Sequence, residues 1–262
     1  MTKIPAETRE LLVRCAEKYE TVHFICDDPS RWMHEVWRRP NQEAMAFVSA
    51  MLSFGSRKAF MPKLYELWDW SGGEMDFWLR SRLFEIMDQL RGEGSYYRFF
   101  TRPQFRAFLE RYAQLIEQHG TLGDFVRSQT PDRDALTAAR AISKAFAGCG
   151  VVPSPATSAC KRTFMFLRWM VRSGSPVDLG IWADFIDRST LVPPLDVHVL
   201  AEARRLGLIK ARCASLAVAR RLRDVLADVF PGDPLKGDFA LFGIGVDKSS
   251  DAGNLKPKEQ PS

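Results

Sequence analysis

Residues 148–172 read G-C-G-V-V-P-S-P-A-T-S-A-C-K-R-T-F-M-F-L-R-W-M-V-R, a Gly/Pro/Ser-rich loop that turns directly into a helix. The first turns of that helix are expected to hold Ser158, Cys160, Lys161 and Arg162. The first turn of a helix has unpaired N–H groups and the positive end of the dipole, so it suits a phosphate. A lysine there feels the same field, which disfavours its ammonium form and makes a free amine nucleophile more accessible. Taken alone, Lys161 reads as an ordinary solvated lysine near a helix start.

A second segment shifts that balance. Residues 190–208 read T-L-V-P-P-L-D-V-H-V-L-A-E-A-R-R-L-G-L, which places Asp196 immediately before a helix that turns Val197, Val199, Leu200 and Ala203 inward. Asp196 is explained as an N-cap whose carboxylate accepts the orphan N–H groups of the next turn. The same carboxylate can stabilise a developing sugar cation, so capping and glycosidic chemistry are compatible. His198 reads as a packed or hydrogen-bonded side chain rather than a base, and the sequence offers it no metal partner at ligand spacing.

Outward from these two segments, apolar residues recur at three- and four-residue spacing, as in Phe105, Phe108, Leu109, Tyr112 and Leu115, and alternating strand patterns are scarce. The chain reads as all-α, with helices expected near 6–20, 29–38, 41–53, 58–70, 75–91, 103–119, 134–147, 156–172, 197–206, 214–229 and 234–242. From Val246 the apolar period is lost, so 246–262 reads as a flexible tail. A chain of 262 residues with 46% hydrophobic and 26% charged residues has an ordinary globular composition, for which disorder is not the default.

Lys and Arg total 37 against 32 Asp and Glu, a net +5 that favours a polyanionic partner. The five cysteines are scattered and form no C-x-x-C pair, so they read as free thiols in a reducing compartment. The start M-T-K-I-P-A-E-T-R-E has no apolar h-region, and no apolar run approaches the ~18 residues of a membrane span. A cytoplasmic protein without a membrane partner is the expectation.

The order of segments resembles the helix-hairpin-helix DNA glycosylase superfamily, which includes endonuclease III and the 8-oxoguanine glycosylases. S-A-C-K-R-T looks like that family's G-x-K-T run, whose lysine is the nucleophile, and P-L-D-V-H-V looks like its V-D-x-H-V run, which supplies the catalytic aspartate. By position, Lys161 and Asp196 take those roles. The stretch N-Q-E-A-M-A-F-V-S-A-M-L-S-F-G-S-R-K-A-F-M-P-K-L-Y-E-L-W from residue 41 is similar to the family's early helix, turn and helix, whose loop probes DNA at the damaged base. The chain also resembles an uncharacterised bacterial family carrying P-S-P, S-A-C-K-R, F-L-R-W-M-V-R and D-L-G-I-W, all present here. Two departures stand out: V-V-P-S-P-A-T-S-A-C replaces the usual L-P-G-V-G hairpin, and the 35-residue separation of Lys161 and Asp196 looks more like the archaeal-type 8-oxoguanine glycosylases. The C-x6-C-x2-C-x5-C iron–sulfur signature is missing, so neither a cluster nor another cofactor or metal is expected.

The resemblance implies two helical subdomains with a cleft between them: N-terminal helices over 1–39 packing with the C-terminal part, a subdomain over 40–150 with the probing loop, and the catalytic hairpin, helix and C-terminal helices over 151–245. It implies a monomer acting on double-stranded DNA with a modified or damaged base, which is flipped into a pocket. DNA contacts are then expected from Ser53, Gly55, Ser56, Arg57 and Lys58 on the probing loop, from Ser158 and Arg162 by the catalytic helix, and from His198. Arg204 and Arg205 are further basic candidates, the pair serving equally to complement a helix C-terminus. Phe54, Trp169, Trp182, Phe239 and Phe242 are candidates to stack on the flipped base, with core packing the competing reading for each. A non-catalytic DNA-binding module is the alternative to an enzyme, and a helical protein-interaction scaffold is a third class.

Overall fold

The computed structural model describes the backbone of residues 4–156 and 158–254, and side chains through residue 245. The chain is mostly helical: α1 (Ala6–Tyr19), α2 (Arg31–His34), α3 (Arg39–Leu52), α4 (Arg57–Ser71) and α5 (Met75–Arg80) come first. A short hairpin of β1 (Ser95–Tyr97) and β2 (Phe100–Thr101) follows, antiparallel, with Tyr97 opposite Phe100. Then come α6 (Arg102–His119), α7 (Leu122–Gln129), α8 (Ala135–Ala145), α9 (Lys161–Val171), α10 (Val197–Arg205), α11 (Leu216–Ala227) and α12 (Lys236–Asn254). Among the described residues no helix is long and apolar enough to cross a membrane.

Two helices are apolar nearly all round and therefore sit at the centre. From Thr163 to Val171 every residue of α9 is buried, and α3 buries Asn41 and everything from Glu43 to Leu52. The small residues Ala44, Ala46, Ser49 and Ala50 let neighbours come close to α3, and α9 packs directly against it. Phe47 of α3 meets the rings of Phe166, Phe146, Phe108 and Tyr112 at centroid distances of 4.9, 5.0, 5.6 and 5.6 Å. Aromatic pairs at such spacing add to the area term that drives burial. At the other end α12 packs along both α1 and α10, so the last helix is clamped between the first and the one that Asp196 begins.

Charged side chains pin α9 to the segments around it. Arg172, just past its end, is fully buried and reaches Glu20 and Asp233 at 2.8 Å each, and Asp178 as well. Arg168 bridges Asp178 at 3.2 Å and Asp238 at 2.8 Å. Glu43 of α3 does the same for α7: its carboxylate accepts from Gly123 N at 3.1 Å, at the helix start, and from Trp182 Nε1 at 2.8 Å. Burial raises the Glu43 carboxyl to about 7 against these stabilising donors.

Several expected elements are corrected. The helix expected over 75–91 stops at Arg80, because Arg82 takes a left-handed φ of 53°; two short 3-10 turns and the hairpin follow. The segment expected over 29–38 is helical only at Arg31–His34, and Arg38 at φ 68° turns the chain into α3. Helix α7 lies in a stretch where none was expected, started by Thr121, whose side chain accepts from Asp124 N. The helix expected over 156–172 begins only at Lys161, since Cys160 has φ 51°. At the other end α12 continues to Asn254, past the point where a tail was expected, and residues 255–262 of that tail lie outside the described residues.

Candidate functional site

The loop ahead of α9 is a compact turn. Ser158 N donates to Ser154 O at 3.0 Å, and Ser158 Oγ accepts from Cys160 N at 3.1 Å. The Cys160 thiol packs inward toward the Pro153 carbonyl, and burial pushes it up to about 11, so it serves as an apolar plug rather than a nucleophile. Its left-handed backbone turns the chain so that Lys161 becomes the first helical residue, with its side chain 40% exposed over a groove.

Asp196 reaches the same groove from a different direction. Leu191 to Leu195 are buried, so the extended strip before α10 threads through the core and delivers the aspartate at its mouth. Asp196 Oδ1 accepts from the backbone N of His198 and Val199, both at 2.9 Å. Its Oδ2 accepts from Lys161 Nζ at 3.1 Å. The cap expected for Asp196 and the lysine contact use different oxygens, which lets one carboxylate do both. With 13% of its side chain exposed, Asp196 is held while the lysine keeps freedom to move.

The groove has a volume of roughly 910 Å³. Ser53, Phe54, Gly55, Ser56 and Arg57 form one wall, the turn between α3 and α4. Ser158 and Arg162 border it beside Lys161, His198 beside Asp196, and Phe242 from α12. Within that wall the Ser53 hydroxyl is committed to Ser49 O at 2.7 Å. Gly55 has φ +85°, a backbone conformation that favours glycine, and the Arg98 side chain of the hairpin lies over it. The hairpin is fixed further by the Tyr97 hydroxyl, which donates to the Phe54 carbonyl. Arg162 lies over the Phe54 ring at 5.1 Å and donates to the Met51 carbonyl; burial lowers it to about 10, still cationic at neutral pH.

Six expected site residues fall elsewhere. Trp169 is fully buried in the core, one turn further along α9 than the groove-lining Met165. Trp182 is buried against Phe166 and committed to Glu43. Phe239 is also buried, 5.1 Å from Phe24, and does not line the groove. Lys58 is exposed beyond the groove wall, since the start of α4 rotates it away from Arg57. Arg204 and Arg205 are exposed at the end of α10, where Arg205 pairs with Glu202 at 2.6 Å.

The groove also holds residues that sequence reasoning missed: Phe24, Asp28, Arg168, Arg212 and Asp238. Asp238 precedes Phe242 by four residues, one helical turn, so the residue chosen for its ring pointed to the carboxylate beneath it.

A mostly helical protein with a lysine–aspartate pair in an open groove is what fold and site define. The chain belongs to the family described as protein of unknown function (DUF2400), whose model matches residues 28–247. No curated protein and no solved structure matches it.

Proposed function

We propose that the protein is a DNA base-excision glycosylase with lyase capacity, built as two helical subdomains around the groove in the manner of the helix-hairpin-helix glycosylases. The contact of Lys161 Nζ with Asp196 Oδ2 at 3.1 Å, inside a groove large enough for a nucleoside, carries the reading. The two residues lie 35 apart in sequence, and each belongs to the start of a separate helix. A structural ion pair does not need an open cavity around it. A nucleophile and its proton acceptor do.

The chemistry follows from the pair. Lys161 passes a proton to Asp196, and its amine bonds to C1′ of an extruded nucleotide while the C1′–N bond breaks and its electron pair leaves with the base, which takes up a proton. Asp196, once again a carboxylate, faces the positive charge that develops on the sugar. Loss of a second N–H proton and opening of the sugar ring at O4′ give an imine on Lys161. Removal of a C2′ proton then expels the 3′ phosphate and cuts the strand. Arg57 and Arg162 at the wall, and the unpaired N–H groups at the start of α9, offer phosphate contacts.

The test is a panel of duplexes, each with one oxidised, deaminated or alkylated base, incubated with and without borohydride. The wild-type protein is expected to cross-link to at least one, and Lys161→Gln to none while still binding duplex. Duplex binding with no cross-link to any member, beside a known lyase that is trapped, would leave a non-catalytic DNA-binding module. No duplex affinity even at low salt would leave a scaffold for proteins.

A further inference from the structure

Twenty residues carry the excess charge of the whole chain. From Arg204 to Arg223, across the end of α10, the loop that follows and the first two turns of α11, there are seven lysines and arginines and no acid. The other 242 residues hold 30 cations against 32 acids, so the net +5 comes from this stretch. Among the described residues only Arg205 and Arg223 of the seven pair with acids, Glu202 and Asp224, at 2.6 Å each. Arg204, Lys210, Arg212, Arg220 and Arg221 are exposed. Like charges gathered on one surface repel each other, and a polyanion relieves the repulsion.

The fold joins this strip to the groove. Arg212 and Ala214, in the loop, line the groove together with Lys161, Asp196 and His198. Helix α11 starts two residues later and buries Ala219, Leu222 and Leu226, which leaves Ala217, Arg220 and Arg221 on its outer face. At about 1.5 Å per residue, Arg221 stands roughly 8 Å along the axis from Leu216, a span of about two phosphates of a duplex strand. Between the cations the exposed residues are small: Cys213, Ala214, Ser215 and Ala217. No large hydrophobic side chain is exposed within 204–223. A protein interface depends on buried aromatic and aliphatic anchors, whereas a sugar–phosphate backbone is met by cations and small polar residues. The loop ahead of α9, residues 148–160, offers no lysine or arginine for that purpose.

We infer that the strip from Arg204 to Arg221 is a second DNA contact surface, which grips the strand backbone on one flank of the extruded nucleotide. This rests on the glycosylase reading for the place of that nucleotide, but the grip itself is on backbone charge and does not need cleavage. The grip is one-sided because the strip leaves the groove at a single rim, where Arg212 stands.

The test compares wild-type protein with the triple variant Lys210→Ala/Arg220→Ala/Arg221→Ala, titrated at several salt concentrations with duplexes that carry a central abasic site. One duplex has long flanks on both sides, one is cut back on the 5′ side of the site and one on the 3′ side. The wild type is expected to lose about 10-fold in affinity when one flank is removed and less than about 3-fold for the other. In the variant, binding of the full duplex falls by about 10-fold or more, and the slope of log K against log salt drops by about two to three. The two shortened duplexes are then bound alike. Arg220→Lys/Arg221→Lys keeps the wild-type slope and asymmetry, because charge is what the strip supplies.

An unchanged slope and unchanged flank dependence in the triple variant would overturn the inference and leave the glycosylase reading intact. Equal losses in Arg220→Lys/Arg221→Lys would overturn it too, since shape rather than charge would be at work. Tighter binding of polyglutamate than of duplex, abolished in the triple variant, would assign the strip to an acidic protein instead. If the triple variant does not fold, Arg221→Gln decides alone: its slope is expected to drop by about one, and no drop refutes the grip. One-sided binding by the wild type without a borohydride cross-link, beside a trapped control lyase, removes the glycosylase reading and leaves the strip as the DNA contact of a non-catalytic module. No duplex affinity at low salt removes both.

Discussion

Lys161 and Asp196 meet at 3.1 Å although each belongs to the start of a different helix, and the aspartate spends only one oxygen on the contact. The other oxygen caps α10. The two duties can therefore be separated by substitution. Asp196→Asn keeps an efficient cap and is expected to cost less than about 1 kcal/mol of stability, whereas Asp196→Ala loses roughly 1 kcal/mol more. Both should lower borohydride cross-linking by about 100-fold or more, because neither leaves a carboxylate beside the amine. Thermal unfolding alongside a trapping assay checks both halves, and full cross-linking by Asp196→Asn would strip the carboxylate of a chemical role.

Arg57 stands on the groove wall with 44% of its side chain exposed, 3.8 Å from Asp28. If it meets a phosphate, Arg57→Ala should weaken duplex binding about equally for all sequences and reduce the slope of log K against log salt by about one. Titrations at several salt concentrations measure this. An unchanged slope would place the duplex elsewhere.

Glu43 gives a pH dependence of stability. Its carboxyl is raised to about 7, chiefly by burial, above an ordinary value of 4.5. The folded protein therefore holds this proton more tightly than the unfolded chain. The contribution is complete below about pH 4.5 and is lost as pH rises through about 7. Glu43→Gln, which keeps an acceptor for Trp182 and Gly123, should remove about 1–3 kcal/mol of that decline between pH 4.5 and 7. Urea unfolding of both proteins across this range reads the difference directly.

The buried Arg172 is the strongest structural tie between α9 and its surroundings, and its loss strands Asp233 without its cation and leaves Asp178 with Arg168 alone. Arg172→Ala should cost on the order of 3–5 kcal/mol. Chemical unfolding measures it; a loss below about 1 kcal/mol would mean that water or neighbouring groups repair the site.

Much of the frame was legible because helix boundaries are written in local chemistry. Asp196 before V-H-V-L is a cap by residue type, and the structure makes it one. Lys161 was readable as a helix start because the Gly/Pro/Ser loop ends there, although the loop persists to Cys160. The hairpin escaped notice because its turn residue with positive φ is Arg98 rather than glycine or asparagine, and S-Y-Y-R-F-F-T carries no turn signal. Trp169 was misplaced for a different reason: a helix buried on every side has no polar stripe to tell which ring faces a groove. Asp238 and Arg168 acquire their significance only when α9 and α12 come together, a relationship no local pattern encodes.

The most direct measurement is to locate the covalent adduct. Wild-type protein is trapped with borohydride on an abasic-site duplex, digested, and analysed by mass spectrometry. The account predicts one sugar-bearing lysine, residue 161, and no adduct there in Asp196→Ala. An adduct confined to another lysine or to the amino terminus, or none where a control lyase is labelled, would contradict it.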